Sequence, residues 1–238
     1  MKIRLFTLPN ILTLMNLLCG SLAVVSVICL EPLEALRISF YLMLAAAVFD
    51  FLDGFAARLT KSYSKLGVQL DSLADMVSFS LLPAILMFRI YYICGGQGLW
   101  GIITLIIVLF SALRLAKFNI DESQREEFEG LPTPANALLI GASGYFFATR
   151  GIAFPSCAPW IVLACSVLLA WLLISPVRMF SLKFKGFGFR ENAVRYIFLA
   201  VAAAFIIIFG LSGIAPAIIL YILSSLIIWL ARRGKAAK

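Results

Sequence analysis

The chain of 238 residues contains no histidine. Any proton transfer it performs must fall to a carboxylate, a lysine, a tyrosine or a cysteine. Its five cysteines, Cys19, Cys29, Cys94, Cys157 and Cys165, show no CxxC spacing and sit mostly in apolar runs. A thiol there behaves as a small hydrophobe, so neither a disulfide nor a zinc site is expected. Charge is scarce as well: 13% of residues are charged against 63% hydrophobic, with a mean hydropathy of +1.03. That balance excludes a water-soluble globule. Polar stretches long enough for a soluble domain are missing, the longest being about 119–133 and 179–192, and the Glu-rich first of these reads as a solvated connection. No internal repeat of the kind that marks inverted-repeat transporters is visible.

In their place stand eight apolar runs, at about 9–30, 34–57, 68–91, 98–118, 134–149, 158–178, 193–211 and 213–231. Each approaches the roughly 20 residues that a membrane-spanning helix needs. The first begins within ten residues of Met1 but lacks a small-x-small cleavage site, so it reads as a retained helix and not a signal peptide. The last two must fold back on each other around Ser212 and Gly213, because one continuous helix over them would be about 58 Å long, nearly twice the bilayer core. The expected fold is an all-α polytopic membrane protein, one domain over residues 1–238, ending in a helical hairpin at about 193–231.

With the N-terminus inside, only Arg37, Arg89 and Arg150 of the 20 Lys and Arg fall on the far side. The positive-inside rule then places both termini in the cytoplasm. The net charge of +8 is spread over separate short loops. It forms no basic stripe for nucleic acid and suits topology and anionic headgroups instead.

Four of the 12 acids gather in one stretch, Asp50, Asp53, Asp71 and Asp75, where the second run joins the third. Carboxylates buried in membrane helices are costly and mark function. Asp50, Asp53, Gly54 and Ala57 follow i, i+3, i+4, i+7 spacing and share one helix face, with Arg58 one turn past Gly54; Asp71 and Asp75 share a face of the next helix. At about 1.5 Å per residue, Asp53 and Asp71 both lie within roughly 6 Å of the same interface, so the hairpin can bring all four together. Hard oxygen ligands suit Mg²⁺, Mn²⁺ or Ca²⁺. Two such ions would balance four carboxylates and still attract a pyrophosphate.

Gly54 and Ala57 leave room for a bulky ligand against the backbone, and Arg58 can fork onto phosphate or orient a carboxylate. Two other readings stand beside this one. The small residues can serve helix packing while the acids pair with Arg58, Lys61 and Lys65. The carboxylates can also line a cation pathway, although transport sites usually lie near the midplane.

The pattern Asp50-x2-Asp53-Gly54-x2-Ala57-Arg58-x8-Gly67-x3-Asp71-x3-Asp75 resembles the signature of the CDP-alcohol phosphatidyltransferase family, with no substitution at its eight fixed positions. Further similarity runs from about residue 8 to 140. The resemblance implies a six-helix catalytic core holding two divalent cations, with a CDP-linked lipid entering from the membrane and an acceptor alcohol from the cytoplasm. Asp50, Asp53 and Asp71 would be metal ligands, and Asp75, also at the metals, the base that deprotonates the acceptor. Asn10, Thr13, Gly54, Ala57, Arg58, Ser64 and Gly67 would contact the CDP-lipid.

Within the family, PNILTLMNLLCG at 9–20, DSLADMVSFSLLPA at 71–84, RLAKFN at 114–119 and FEGLPTPANA at 128–137 resemble the members that use CDP-diacylglycerol and serine. Relatives that take a phosphate-bearing acceptor commonly carry Arg where this chain has Asn16. Serine brings a carboxylate, and Arg114 and Lys117 are placed to meet it; positive-inside topology and lipid phosphate offer the plainer account of both. The resemblance further implies a prokaryotic cell (inner) membrane as location and a homodimer as assembly.

Overall fold

The structure, a computed structural model, describes residues 5–62, 64–120, 128–151, 155–179 and 189–236. Most of the two polar loops lies outside the described residues, with Arg125, Lys183 and Lys185, as do Lys2, Arg4 and Lys238.

The described residues are helical almost throughout. Helix α1 (Leu8–Cys29) is opened by Thr7, whose side chain accepts the Asn10 N–H, and by Pro9 in its first turn. It ends where Leu30 and Glu31 turn extended ahead of Pro32, and that proline starts α2 (Pro32–Leu59). So short a link forces the two helices to pack antiparallel. Helix α2 has 28 residues, about 42 Å at 1.5 Å per residue, longer than the roughly 30 Å of hydrocarbon.

Helix α2 stops in a Schellman turn. Lys61 adopts a left-handed φ of 49°, the Ser62 N–H reaches back to the Ala57 carbonyl at 3.1 Å, and the Lys61 N–H to that of Arg58 at 3.4 Å. Ser64 then caps α3 (Lys65–Asp75), accepting the Gly67 N–H at 2.9 Å. The helix runs on without a break through a π-helical stretch (Met76–Leu81) into α4 (Leu82–Ile93). Widened turns of this kind are frequent at functional sites. Here the π-stretch presses on α1 at Gly20, where a Cβ would overlap Ser78, and the Ser78 hydroxyl donates to the Asn16 carbonyl at 3.1 Å. This contact sets the depth of α1 against α3.

A 3₁₀ stretch (Gly98–Leu105) leads into α5 (Ile106–Ile120), followed by α6 (Thr133–Arg150) and α7 (Ala158–Ile174). The expected sixth span to 178 is therefore shortened. Pro176 disfavours helix at the residue before it, and Ser175 is extended, with φ −63° and ψ 151°. The two-residue strands β1 (Phe128–Glu129) and β2 (Arg178–Met179) pair antiparallel and tie the segment after α5 to the one after α7.

Helices α8 (Phe189–Phe209) and α9 (Ile214–Ala236) are joined by a 3₁₀ turn over Gly210–Gly213, with Gly210 at φ +62°. The rings of Phe198 and Tyr221 lie 5.8 Å apart, whereas a continuous helix would separate them by about 35 Å. The expected C-terminal hairpin is thus formed, and α9 lays it against α6.

Among the described residues, five helical stretches are long and apolar enough to cross a membrane: 8–29, 32–59, 65–93, 98–120 and 195–231, the last containing the hairpin turn. Helices α6 and α7, of 18 and 17 residues, are shorter. Large apolar side chains such as Ile28, Phe51, Leu109 and Ile207 face outward, while Phe40, Met43, Phe79, Leu82, Leu86 and Ile107 fill the centre. An apolar exterior of this extent belongs in lipid, and the chain is an integral membrane protein.

Candidate active site

The α2–α3 connection brings the four aspartates together. One carboxylate oxygen from each of Asp50, Asp53 and Asp71 lies within 4.8 Å of the others. Asp50 also stands against Asp75, and Asp75 against Asp71. Asp75 follows Asp71 by one turn on α3 and is the last α-helical residue before the π-stretch, with its Oδ1 buried and without a hydrogen-bond partner.

Among the described residues the single ion pair is Lys117–Glu129, at 3.0 Å, so neither Arg58, Lys61 nor Lys65 neutralises the aspartates. Carboxylates this close repel strongly in a low-dielectric setting. Their all-oxygen donor set, in ion pair with no cationic side chain among the described residues, fits divalent cations.

Thr13 of α1 completes one side. Its hydroxyl lies 2.6 Å from Asp53 Oδ2 and 3.0 Å from the Pro9 carbonyl, so it orients the most enclosed of the three clustered carboxylates. Asn10, one turn earlier and buried, donates from Nδ2 to the Leu5 carbonyl at 2.8 Å.

Between α1, α2 and α3 opens a cavity of about 140 Å³, lined by Pro9, Asn10, Thr13, Asp53, Gly54, Ala57, Ser62, Ser64, Gly67, Val68 and Asp71. Six of the seven residues expected at a CDP-lipid meet there. The seventh, Arg58, lies beside it on α2 and donates from Nε to the Gly54 carbonyl at 3.1 Å. A Cβ built on Gly54 would meet nothing within 4 Å, so this glycine leaves open space over the acidic face and is not filled by a packing helix. The N-terminal turn of α3 borders the same cavity, where unpaired backbone N–H groups favour an anion. Ser62 and Val68 were not anticipated from sequence; Ser62 enters because the Schellman turn folds it back over Ala57.

The two cations expected on the acceptor side part company. Arg114 of α5 points inward, donating from Nη1 to Thr133 Oγ1 of α6 at 2.9 Å, and comes within electrostatic reach of Asp75. Lys117, one turn on, is exposed and held by Glu129 next to the β1–β2 pair.

The chain resembles three curated relatives in particular. A CDP-diacylglycerol–serine O-phosphatidyltransferase of Helicobacter pylori is 27% identical over 95% of this chain and 92% of its own length. A second protein of that name, from Methanocaldococcus jannaschii, is 36% identical over 58% of this chain and 60% of its own length. An archaetidylserine synthase of Methanothermobacter thermautotrophicus is 34% identical over 68% and 66%. The chain thus spans less than two thirds of the length of each of the last two relatives. The family profile of the CDP-alcohol phosphatidyltransferases matches residues 6–180, from the residue before the Thr7 cap to the residue after β2, taking in every aspartate and helices α1 to α7. The chain belongs to the CDP-alcohol phosphatidyltransferase family.

Proposed function

We propose that this protein transfers the phosphatidyl group of CDP-diacylglycerol to the hydroxyl of L-serine, giving phosphatidylserine and CMP. The observation that carries this reading is the convergence of Asp50, Asp53, Asp71 and Asp75 beside a small-residue cavity, with Arg114 within electrostatic reach of Asp75. The relatives' names support the acceptor. The family is divalent-cation dependent. Asp50, Asp53, Asp71 and Asp75 would hold two such ions, Mg²⁺ or Mn²⁺ with Ca²⁺ a third of the same hard character, which supply charge stabilisation to the phosphate oxygens and the departing CMP.

The chain's own groups divide the remaining work. Asn10, Thr13, Gly54, Ala57, Arg58, Ser64 and Gly67 bind and orient the CDP-lipid. Asp75 takes the proton from the serine hydroxyl, whose oxygen forms a bond to the lipid-linked phosphorus as the bond from that phosphorus to the CMP oxygen breaks. Transfer is a single displacement: no histidine exists to carry a phosphatidyl group, and each aspartate already has a role. Of the acceptor-side cations, Arg114 has the supporting geometry, while Lys117 is engaged by Glu129.

The chain acts as one domain over residues 1–238, in a prokaryotic cell membrane, with both termini and the aspartates on the cytoplasmic side, and it assembles as a homodimer. An ether-linked donor, CDP-archaeol, is a second reading favoured by the archaetidylserine relative.

Purified protein given CDP-diacylglycerol, Mn²⁺ and a panel of serine, glycerol 3-phosphate, inositol and choline should release CMP with serine. Release with another member alone reassigns the acceptor. No release with any acceptor, from either donor lipid, refutes a transferase and returns the cation pathway to consideration.

A further inference from the structure

Polar side chains sealed in a protein interior are nearly always hydrogen-bonded. Among the described residues, eight buried side-chain polar atoms lack a partner, and seven of them belong to Asn16, Asp75, Ser111, Arg114 and Asn136. These residues come from four different helices, all of which pack against the π-stretch that follows Asp75. Asn16 sits beside Asp75 without a well-formed hydrogen bond, held there by the Ser78–Asn16 contact and the approach at Gly20 one turn on. Asp75 lies within electrostatic reach of Arg114, and Arg114 hydrogen-bonds to Thr133. Ser111 lies one turn before Arg114 on α5, and Asn136 one turn after Thr133 on α6, so each shares the face that the Arg114–Thr133 bond turns inward. Asn16, Ser111, Thr133 and Asn136 are all fully buried. Tyr221 of α9 also comes near Arg114, so the hairpin beyond the family match bounds this region.

We propose that Asn16, Ser111 and Asn136, together with Arg114, form the pocket that recognises the amino-acid part of the acceptor and presents its hydroxyl to Asp75. The inference rests on the serine reading above and assigns the residues that select it. The donor set matches a zwitterion. Arg114 and the carboxamide N–H groups can meet a carboxylate, and the carboxamide oxygens with the Ser111 hydroxyl can accept from an ammonium. One guanidinium flanked by neutral amides suits an acceptor with one carboxylate and its own ammonium, where a phosphate dianion would call for further cations. A site built to hydrogen-bond its substrate also rejects analogues that lack those groups, because its own buried polar atoms are then left bare.

The test separates a binding role from a structural one. Orphaned polar atoms destabilise a fold, and an apolar group of similar shape relieves that cost. Asn136→Leu should therefore melt in detergent at or above the wild-type temperature. Its KM for serine should rise about tenfold or more while its KM for CDP-diacylglycerol stays within about twofold. Ser111→Ala, which removes a single hydroxyl, should shift the serine KM in the same direction by a smaller factor. Unchanged serine KM in both variants, with a wild type that uses serine, overturns the pocket and leaves the functional reading intact. Lower stability with parallel loss of serine and CDP-lipid use also overturns it, in favour of a structural role. A wild type that releases CMP with another alcohol but not with serine refutes the functional reading itself.

Discussion

Thr13 and Asp53, 40 residues apart in sequence, meet at 2.6 Å between hydroxyl and carboxylate. This bond ties α1 directly to the acidic cluster. Thr13→Val keeps the shape and removes the donor, so Asp53 loses its orientation while the helices still pack. Groups that orient metal ligands typically account for about 10- to 100-fold in metal affinity. The Mn²⁺ concentration needed for half-maximal CMP release should rise by that order in Thr13→Val and stay near wild type in Thr13→Ser. An unshifted Mn²⁺ titration in Thr13→Val would show that the contact does not serve the cluster.

Two glycines should respond to the same substitution in opposite ways. At Gly20 an added methyl overlaps both the backbone and side chain of Ser78, and overpacking of this kind costs about 1–3 kcal/mol. Gly20→Ala should lower the melting temperature in detergent. It should also reduce kcat, because the shift moves Asn16 and the π-stretch next to Asp75. At Gly54 a methyl meets nothing in the protein but enters the cavity it lines, so Gly54→Ala should keep its melting temperature and raise the KM for CDP-diacylglycerol. Equal behaviour of the two variants would contradict the packing described here.

The spacing of Asp50, Asp53, Gly54 and Ala57 is legible because a helix face repeats every three to four residues whatever surrounds it, and the hairpin depth of Asp53 against Asp71 follows from helix rise alone. The C-terminal hairpin is legible from length. Ser111 and Asn136 were not: a single Ser or Asn in an apolar helix looks like tolerated packing until the neighbouring helices show it to be sealed and unpaired. The π-stretch after Asp75 was hidden too, since MVSFSL carries no residue that demands a widened turn. Lys117 and Arg114 lie one turn apart, and sequence alone could not separate them. Their fates diverge because Glu129, carried by the short β-pair, captures one, and Thr133 the other.

Direct transfer predicts a kinetic silence. Enzyme incubated with labelled CMP and CDP-diacylglycerol in the absence of serine should not move label into the lipid, because both substrates must be bound together, with reacting atoms held at about 3–3.5 Å before attack. The transferred phosphorus, made chiral, should emerge inverted. Exchange under strictly serine-free conditions, or retention of configuration, would establish a covalent phosphatidyl-enzyme.

Asp75 interacts with Asp50 and Asp71 of the acidic cluster and also with Asn16 and Arg114. The decisive comparison is Asp75→Asn with Asp50→Asn, measuring both CMP release at saturating Mn²⁺ and binding of CDP-diacylglycerol. Asp75→Asn should bind the lipid within a few-fold of wild type and lose turnover by about 100-fold or more, the scale of a removed general base, whereas Asp50→Asn should weaken metal and lipid binding together. Near-wild-type turnover in Asp75→Asn under those conditions would contradict the assignment of the base, and with it the mechanism built on this site.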